Sequence, residues 1–328
     1  MENPTSKLSE IRSILALSTF KPFRYAVSND VPNEMDQFWF NRINDSLNKD
    51  SSYLIEANSS HGLNGFIIIN DLPWDSKILN TRMASISDFV LDSKCSTKES
   101  VAGNLLEKAI ISAKKHGYQF LLCKVYTNDL IVIHALERAG FLLMDTLLDY
   151  YVDFRRTPFD KIPKPIPAED TIIRFARLDD ENELFELAKA SFINHFGRFH
   201  SDPRIPRNLA TQIYMEWMHS CLYGYADYFI LAEIEGRIAG LTTWKKASEL
   251  EKFIPIRISH LSIAATHPEN FGKKLFSLLT YEGMKLLYKE SEIIDSSTHI
   301  NNYAVQRGFT RLDWQIGNAR HSFHKWLD

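Results

Sequence analysis

Cysteine is scarce, no long apolar run occurs, and neither sign of charge dominates. Cys95, Cys123 and Cys221 are the three cysteines among 328 residues, an odd number at wide spacing with no CxxC pair. That excludes a disulfide framework and a cysteine zinc site, and it points to a reducing compartment. No apolar stretch nears the roughly 18 residues that a membrane span needs. Residues Met1 to Ser18 scatter charge through their apolar positions, so they lack the basic start and apolar centre of a signal peptide. A cytoplasmic protein without a membrane partner is expected. The 38 Lys+Arg and 41 Asp+Glu leave a net charge of −3, which argues against a broad basic face for nucleic acid.

What is there is ordinary for a globular chain: 45% apolar and 24% charged residues. At roughly 100–200 residues per domain, the length predicts two domains, each able to bury its own core. Between Phe154 and Thr171 the composition shifts. The stretch RRTPFDKIPKPIPAED holds Pro158, Pro163, Pro165 and Pro167. Proline lacks a donor and restricts the residue before it, so neither helix nor central strand is expected here. The expected layout is a first domain over 1–155, a Pro-rich linker over 156–170 and a second domain over 171–328.

The two sides of that linker read alike. HGLNGFIIIN on the left and EIEGRIAGLTTW on the right each read as a hairpin with a glycine before its second strand, and Gly65 and Gly240 stand 175 residues apart. Next on the left come the strand MASISDFVLD and a helix from about Ser100 to His116, with Leu105, Leu106, Ala109, Ile110 and Ala113 at helical spacing. On the right come RISHLSIAATHP and a helix from about Phe271 to Tyr288, with Leu275, Leu278, Leu279 and Met284 on its apolar face. Each half then has two more strands around a short helix. That helix opens near Asn128 or Asn302 and closes at Gly140-Phe141 or Asp313-Trp314, at offsets of 174 and 173. A duplicated domain explains three landmarks at nearly one offset.

The order in each half is helices, hairpin, strand, helix, strand, helix, strand. It resembles the GCN5-related N-acetyltransferase (GNAT) fold over about 21–155 and 170–328. The fold class implied is α+β: two tandem GNAT-like (acyl-CoA N-acyltransferase) domains, each a mixed, mainly antiparallel sheet flanked by helices. Leu72-Pro73-Trp74-Asp75-Ser76, the segment Gly197 to Pro203 with Tyr214 and Trp217, and Phe323 to Leu327 make the whole chain resemble the dTDP-fucosamine acetyltransferase branch. Trp74 and Asp75 are also read as fixing a turn, and Trp326 as core. The resemblance implies acetyl-CoA as donor, a small amine such as an amino-sugar nucleotide as acceptor, and no metal. A homodimer is compatible with it.

In this family pantetheine enters a gap between two splayed strands, and a glycine-rich turn at a helix start holds the pyrophosphate. The resemblance places backbone N–H groups of Ile263, Ala264, Ala265 and Thr266 at the thioester carbonyl. It places Phe271, Gly272, Lys273, Lys274, Leu275 and Phe276 at the phosphate turn, where Phe271, Lys274 and Phe276 depart from the usual pattern. The first half offers Thr97 to Ala102, with Glu99 unfavourable beside an anion. Asn302 matches an asparagine that contacts pantetheine, and it is also a natural helix N-cap. Phe309 stands where the family often has a tyrosine that protonates the leaving thiolate, and Leu136 stands there in the first half. Tyr303 is the nearest hydroxyl.

An attacking amine must first lose a proton, and His200, Asp202 and His260 are the candidates for that work. Arg198 and Arg204 suit a diphosphate, and Phe199, Asp202 and Tyr214 fall in the acceptor segment. The second copy is the expected seat of activity. Two rivals stay open: a non-catalytic binding or scaffold protein that kept the fold, and an enzyme using a longer acyl-CoA or an acyl carrier protein.

Overall fold

The computed structural model describes residues 4–26, 32–49, 51–60, 62–167, 170–246 and 256–328. The chain forms two compact units. Unit 1 comprises Met1–Thr146 with Ala319–Asp328, and unit 2 comprises Leu147–Asn318.

Unit 1 opens with helices α1 (Pro4–Leu17) and α2 (Pro32–Leu47) and hairpin strands β1 (Ser52–Ser59) and β2 (Gly62–Asp71). Then come α3 (Pro73–Leu79), β3 (Met83–Leu91), α4 (Lys98–Lys115), β4 (Phe120–Tyr126), α5 (Leu130–Arg138) and the start of β5 (Leu142–Asp153). The run Phe66 to Ile69 shows why β2 is central. Ile67 and Ile69 face α4, in a core with Leu105, Leu106 and Phe323. Phe66 and Ile68 face α1 and α2, in a core with Ile11, Leu15 and Trp39. A strand buried on both faces must be apolar at every position, not every second one. β1, β2 and β3 pair antiparallel and β3 pairs parallel with β4.

Unit 2 repeats the plan with β6 (Ile172–Phe175), α6 (Glu181–Phe192), α7 (Arg198–Ser201), α8 (Arg207–Ser220), β7 (Tyr228–Ile234) and β8 (Arg237–Lys245). It continues with β9 (Ile258–Thr266), α9 (Leu275–Leu287), β10 (Ile293–His299), α10 (Tyr303–Arg311) and β11 (Gln315–Trp326). β6 to β9 pair antiparallel and β9 pairs parallel with β10. Each unit is therefore α+β, a mixed and mainly antiparallel sheet with helices on both faces.

The duplication extends to irregular details. The hairpin register shifts after Ala57 in unit 1 and after Ala232 in unit 2. A second bulge follows Ile68 in one and Thr242 in the other. Asp129 and Asn302 each cap a nine-residue helix by accepting the N–H three residues on, from Val132 and Val305. The cap thus sits at Asp129, one residue after Asn128. Gly140 and Asp313 both take positive φ just past those helices.

The boundaries differ from the sequence-based ones at both ends. Leu147–Asp153 of β5 pair antiparallel with β10 and belong to unit 2. Arg320–Trp326 of β11 pair antiparallel with β4 and belong to unit 1. Tyr150 and Val152 are buried in the unit 2 core, Phe323 and Leu327 in that of unit 1. The Pro-rich stretch is not a free linker either. Phe159 stacks on Tyr288 at 4.6 Å, and Ile162 is buried in unit 2. α9 starts at Leu275, after positive φ at Gly272 and Lys274, not at Phe271.

Among the described residues no helix is long and apolar enough to cross a membrane. Phe323 is 1% exposed and lies in the unit 1 core although 170 residues separate it from Asp153. Phe323→Ala is expected to destabilise unit 1 by about 3–5 kcal/mol. Amide exchange resolved by unit should show β2 to β4 losing protection while β7 to β9 keep theirs. Equal loss in both units would contradict this division.

Candidate functional site

The parallel pair β9–β10 sets the site. Ile293 lies opposite Ile258, Ile294 opposite Ser259 and Asp295 opposite His260, and there the pairing ends. β9 nevertheless runs on to Thr266 and β10 to His299, so the two strands part beyond His260 and Asp295. The Ser296 hydroxyl donates to the Leu261 carbonyl at 2.9 Å, bridging the first step of the opening.

The ladder to β8 decides where the β9 amides point. The His267 N–H donates to Ala239 O, and Gly240, Leu241 and Thr242 stand opposite Thr266, Ala265 and Ala264. Antiparallel pairs alternate between bonded and non-bonded positions. The Ala265 amide therefore turns to β8, while those of Ala264 and Thr266 turn into the opening. The Ile263 amide is already spent, since it donates to Thr243 Oγ1 at 3.1 Å. Of these four amides, those of Ala264 and Thr266 turn into the opening.

His260 and Asp295 close the fork. Leu261 and Ile294 pack toward α9, and side chains alternate along a strand, so His260 and Asp295 face the α6–α8 side. His260 Nδ1 is hydrogen-bonded to Asp295 Oδ1. Burial alone would lower the histidine pKa. The charge and hydrogen bond of Asp295 outweigh it, and the net shift is upward.

The last turn of α6 and the segment after it touch the ends of both strands. The Ser191 hydroxyl donates to Thr266 O at 3.0 Å, and the Phe196 ring meets His299 at 4.8 Å. Behind it Phe192 stacks on Tyr214 at 4.7 Å, with His195 at 4.8 Å from the tyrosine. Gly197 is required by this packing. A Cβ there would lie 2.4 Å from the Tyr214 hydroxyl.

His200 does not join His260. Its Nε2 meets Thr211 Oγ1 at 3.1 Å, and Thr211 spends its own hydrogen on Arg207 O at 3.0 Å. Burial first, then the Arg207 charge, push the His200 pKa down to about 4. It is neutral near pH 7 and packs in the aromatic cluster with His195 and Tyr214. The other acceptor candidates are largely structural too. Phe199 is buried with the Arg198 guanidinium 4.4 Å over its ring. Buried Asp202 accepts the Arg204 N–H at 2.9 Å and closes the turn, leaving Arg204 on the surface.

The predicted phosphate turn splits in two. Leu275 is buried, and Phe276 packs edge-on to Phe309 at 5.2 Å, so both are core. Phe271, Gly272, Lys273 and Lys274 are exposed ahead of α9, with Lys273 Nζ on Asn270 Oδ1 at 2.7 Å. The first turn of α9 holds no acid, whereas that of α4 holds Glu99. Asn302 caps α10. Phe309 is 1% exposed, stacked on Trp314 at 4.5 Å and Tyr150 at 5.0 Å, and reaches no opening. Tyr303 is 60% exposed and lines a surface groove with Arg307.

Unit 1 parts its strands as well, after Ile86 opposite Cys123. Among the described residues its last strand pair offers no imidazole beside a carboxylate. Burial pushes the Cys123 thiol up to about 12, and Asp88 is held by Trp39 Nε1 at 2.7 Å and Arg42 at 2.8 Å from α2. Trp74 and Asp75 lie on the short helix α3. Among the described residues no group of three His, Cys, Asp or Glu is placed to hold a metal ion. Sequence reasoning missed Asp295, Ser296, Phe196 and His299.

Two units with strands in this order, each with one parallel pair parting toward a helix start, define a tandem GNAT-type fold. No protein-family model matches the chain. A curated relative is the spore coat polysaccharide biosynthesis protein SpsD of Bacillus subtilis, 22% identical over 271 residues, covering 80% of this chain and 84% of that protein. A tandem GNAT protein from the clavulanic acid biosynthesis pathway superposes with a TM-score of 0.57 at 14% identity, over 99% of this chain and 96% of that one. The GCN5-related glucosamine N-acetyltransferase region of a fungal multi-domain GH3 β-N-acetylglucosaminidase gives 0.62 at 13% identity, over 99% of this chain and 37% of that one. At these identities the structural likeness establishes the fold.

The neutral His200 has a consequence for acid stability. Its folded pKa of about 4 lies below the 6.5 of a free histidine, so between those values the unfolded chain binds a proton that the folded chain does not. Stability is therefore lost as pH falls from about 6.5 toward 4. His200→Gln, followed by urea unfolding at a series of pH values, is expected to flatten that decline. An unchanged slope would show that His200 does not titrate as described.

Proposed function

We propose that unit 2 is an N-acetyltransferase that uses acetyl-CoA and acts on a small amine, an amino-sugar nucleotide of the kind handled by the dTDP-fucosamine acetyltransferase branch. One observation carries the reading: β9 and β10 part beyond the His260–Asp295 pair, with the Ala264 and Thr266 amides turned into the gap. The names of two similar proteins support the acceptor class, one belonging to polysaccharide biosynthesis and one to glucosamine N-acetylation.

The chemistry follows from the side chains. A sugar amine is largely protonated near neutral pH and has no lone pair to attack with. His260 accepts that proton, while Asp295 fixes the ring through Nδ1 and stabilises the imidazolium that forms. Negative charge then builds on the carbonyl oxygen, where the Ala264 and Thr266 N–H groups are already oriented. Acetyl-CoA supplies the acyl group as a thioester. Its diphosphate would sit at the start of α9, whose first turn holds no acid, where Gly272 takes positive φ and Lys273 and Lys274 add charge. The C–S bond then breaks and CoA leaves as a thiolate that takes its proton from water, because Phe309 fills the tyrosine position and is buried. The same substitution favours the rival reading of a non-catalytic fold relative.

Labelled acetyl-CoA with a panel of amino-sugar nucleotides tests the proposal. Saturable transfer is expected, and His260→Gln should lower kcat by about 10²–10⁴-fold. Because the base works unprotonated and its pKa is raised, kcat/KM should climb with pH through a midpoint above that of free histidine. Asp295→Asn should move this midpoint down. Saturable CoA binding without transfer to any acceptor would favour the rival, and no CoA binding would contradict both.

A further inference from the structure

The outer flank of α10 carries a groove of about 430 Å³ that acetyl transfer does not use. It is lined by Tyr150, Tyr303, Gln306, Arg307, Thr310 and Arg311, and its volume falls within the roughly 300–1,000 Å³ of ligand pockets. The groove is separate from the parted strands. Tyr150 belongs to β5, which pairs with β10 on the edge away from β9. α9 packs on the other flank of α10, with Phe276 against Gly308.

The lining has one chemical character. It contains two guanidinium groups and no carboxylate. Arg307 and Arg311 are four residues apart on one helix, so they share a face, and like charges at that spacing repel. Among the described residues neither has an acid partner to offset this. The polar groups beside them are otherwise engaged. The Gln306 amide donates to His299 O at 3.3 Å, and the Thr310 hydroxyl donates to Gln306 O at 3.0 Å. Tyr150 is held by its stack on Phe309. The open flat surface is the Tyr303 ring, 60% exposed in the first turn of the same helix.

We propose that this groove binds a nucleoside diphosphate. The planar forks of Arg307 and Arg311, one helical turn apart, match two linked phosphate groups, because each guanidinium pairs with phosphate in a bidentate way. Tyr303 offers its face to the base, since stacking on an aromatic ring accepts any nucleobase. The proposal is independent of the acetyltransferase reading: a chain that transfers nothing still binds the ligand here.

Isothermal titration of the full chain with UDP tests it, with uridine, inorganic phosphate and CoA as separate arms. UDP should saturate this groove whether or not it also occupies the acceptor side of the parted strands. Arg307→Ala with Arg311→Ala should raise its Kd at least tenfold, and lysine at both positions should recover part of the loss. Both side chains are exposed, so thermal unfolding should stay unchanged. Tyr303→Ala should weaken UDP but leave phosphate unaffected, and saturating CoA should not alter the UDP Kd. The proposal is overturned if UDP does not bind, or if the arginine variants bind it normally. It is equally overturned if phosphate binds as tightly as UDP, or if CoA competes and the arginine variants lose CoA in parallel, which would assign the groove to the donor's own nucleotide.

Discussion

Parallel pairing between β9 and β10 that stops at His260 and Asp295 is the constraint from which the rest of unit 2 follows. Two parallel neighbours need a crossover, and α9 supplies it, its apolar face buried by Leu275, Leu279, Met284 and Leu287. The crossover brings the start of α9 beside the strands at the end where they part. Unpaired helix donors and unpaired strand amides thus meet at one opening without any special motif. Buried backbone donors need partners, and the amides of Ala264 and Thr266 turned into that gap receive none from β8. The His260–Asp295 bond holds the fork on the side that α6 and α8 cover.

The two units share a backbone plan and differ in what they put into it. The bulges, the helix caps and the left-handed residues recur, so the duplication preserved irregular geometry as well as regular elements. At the fork, unit 2 has an imidazole and a carboxylate where the last pair in unit 1 is Ile86 and Cys123. The first turn of α4 carries Glu99 and that of α9 carries no acid. These side-chain differences, with the positive φ of Gly272 and Lys274 before α9 alone, favour the second copy as the seat of chemistry.

Much of the fold was legible. Hairpin glycines, strand patterns and helix spacing at a nearly constant offset exposed the duplication, because those signals depend on local chemistry. The exchanged ends were not legible. An alternating strand such as β11 shows which residues face a core, but not which core, so Phe323 reads the same in either unit. The site was only partly legible for a related reason. His200 and His260 look alike in sequence, and their difference comes from Thr211 and Asp295, supplied by other elements. The register that sets Asp295 opposite His260 runs through a helix crossover, which leaves no trace in local spacing. Phe309 was readable as a departure from the tyrosine pattern. Its burial among Tyr150, Phe276 and Trp314 required the tertiary structure.

The central claim is that the donor enters the unit 2 opening and meets the Ala264 and Thr266 amides there. Amide hydrogen exchange with and without saturating acetyl-CoA measures this at single elements. The account predicts added protection at Ala264, Thr266 and the start of α9, with none over Asp88 to Leu91 in unit 1. Protection confined to unit 1, or absent from both forks while acetyl-CoA is bound, would contradict it.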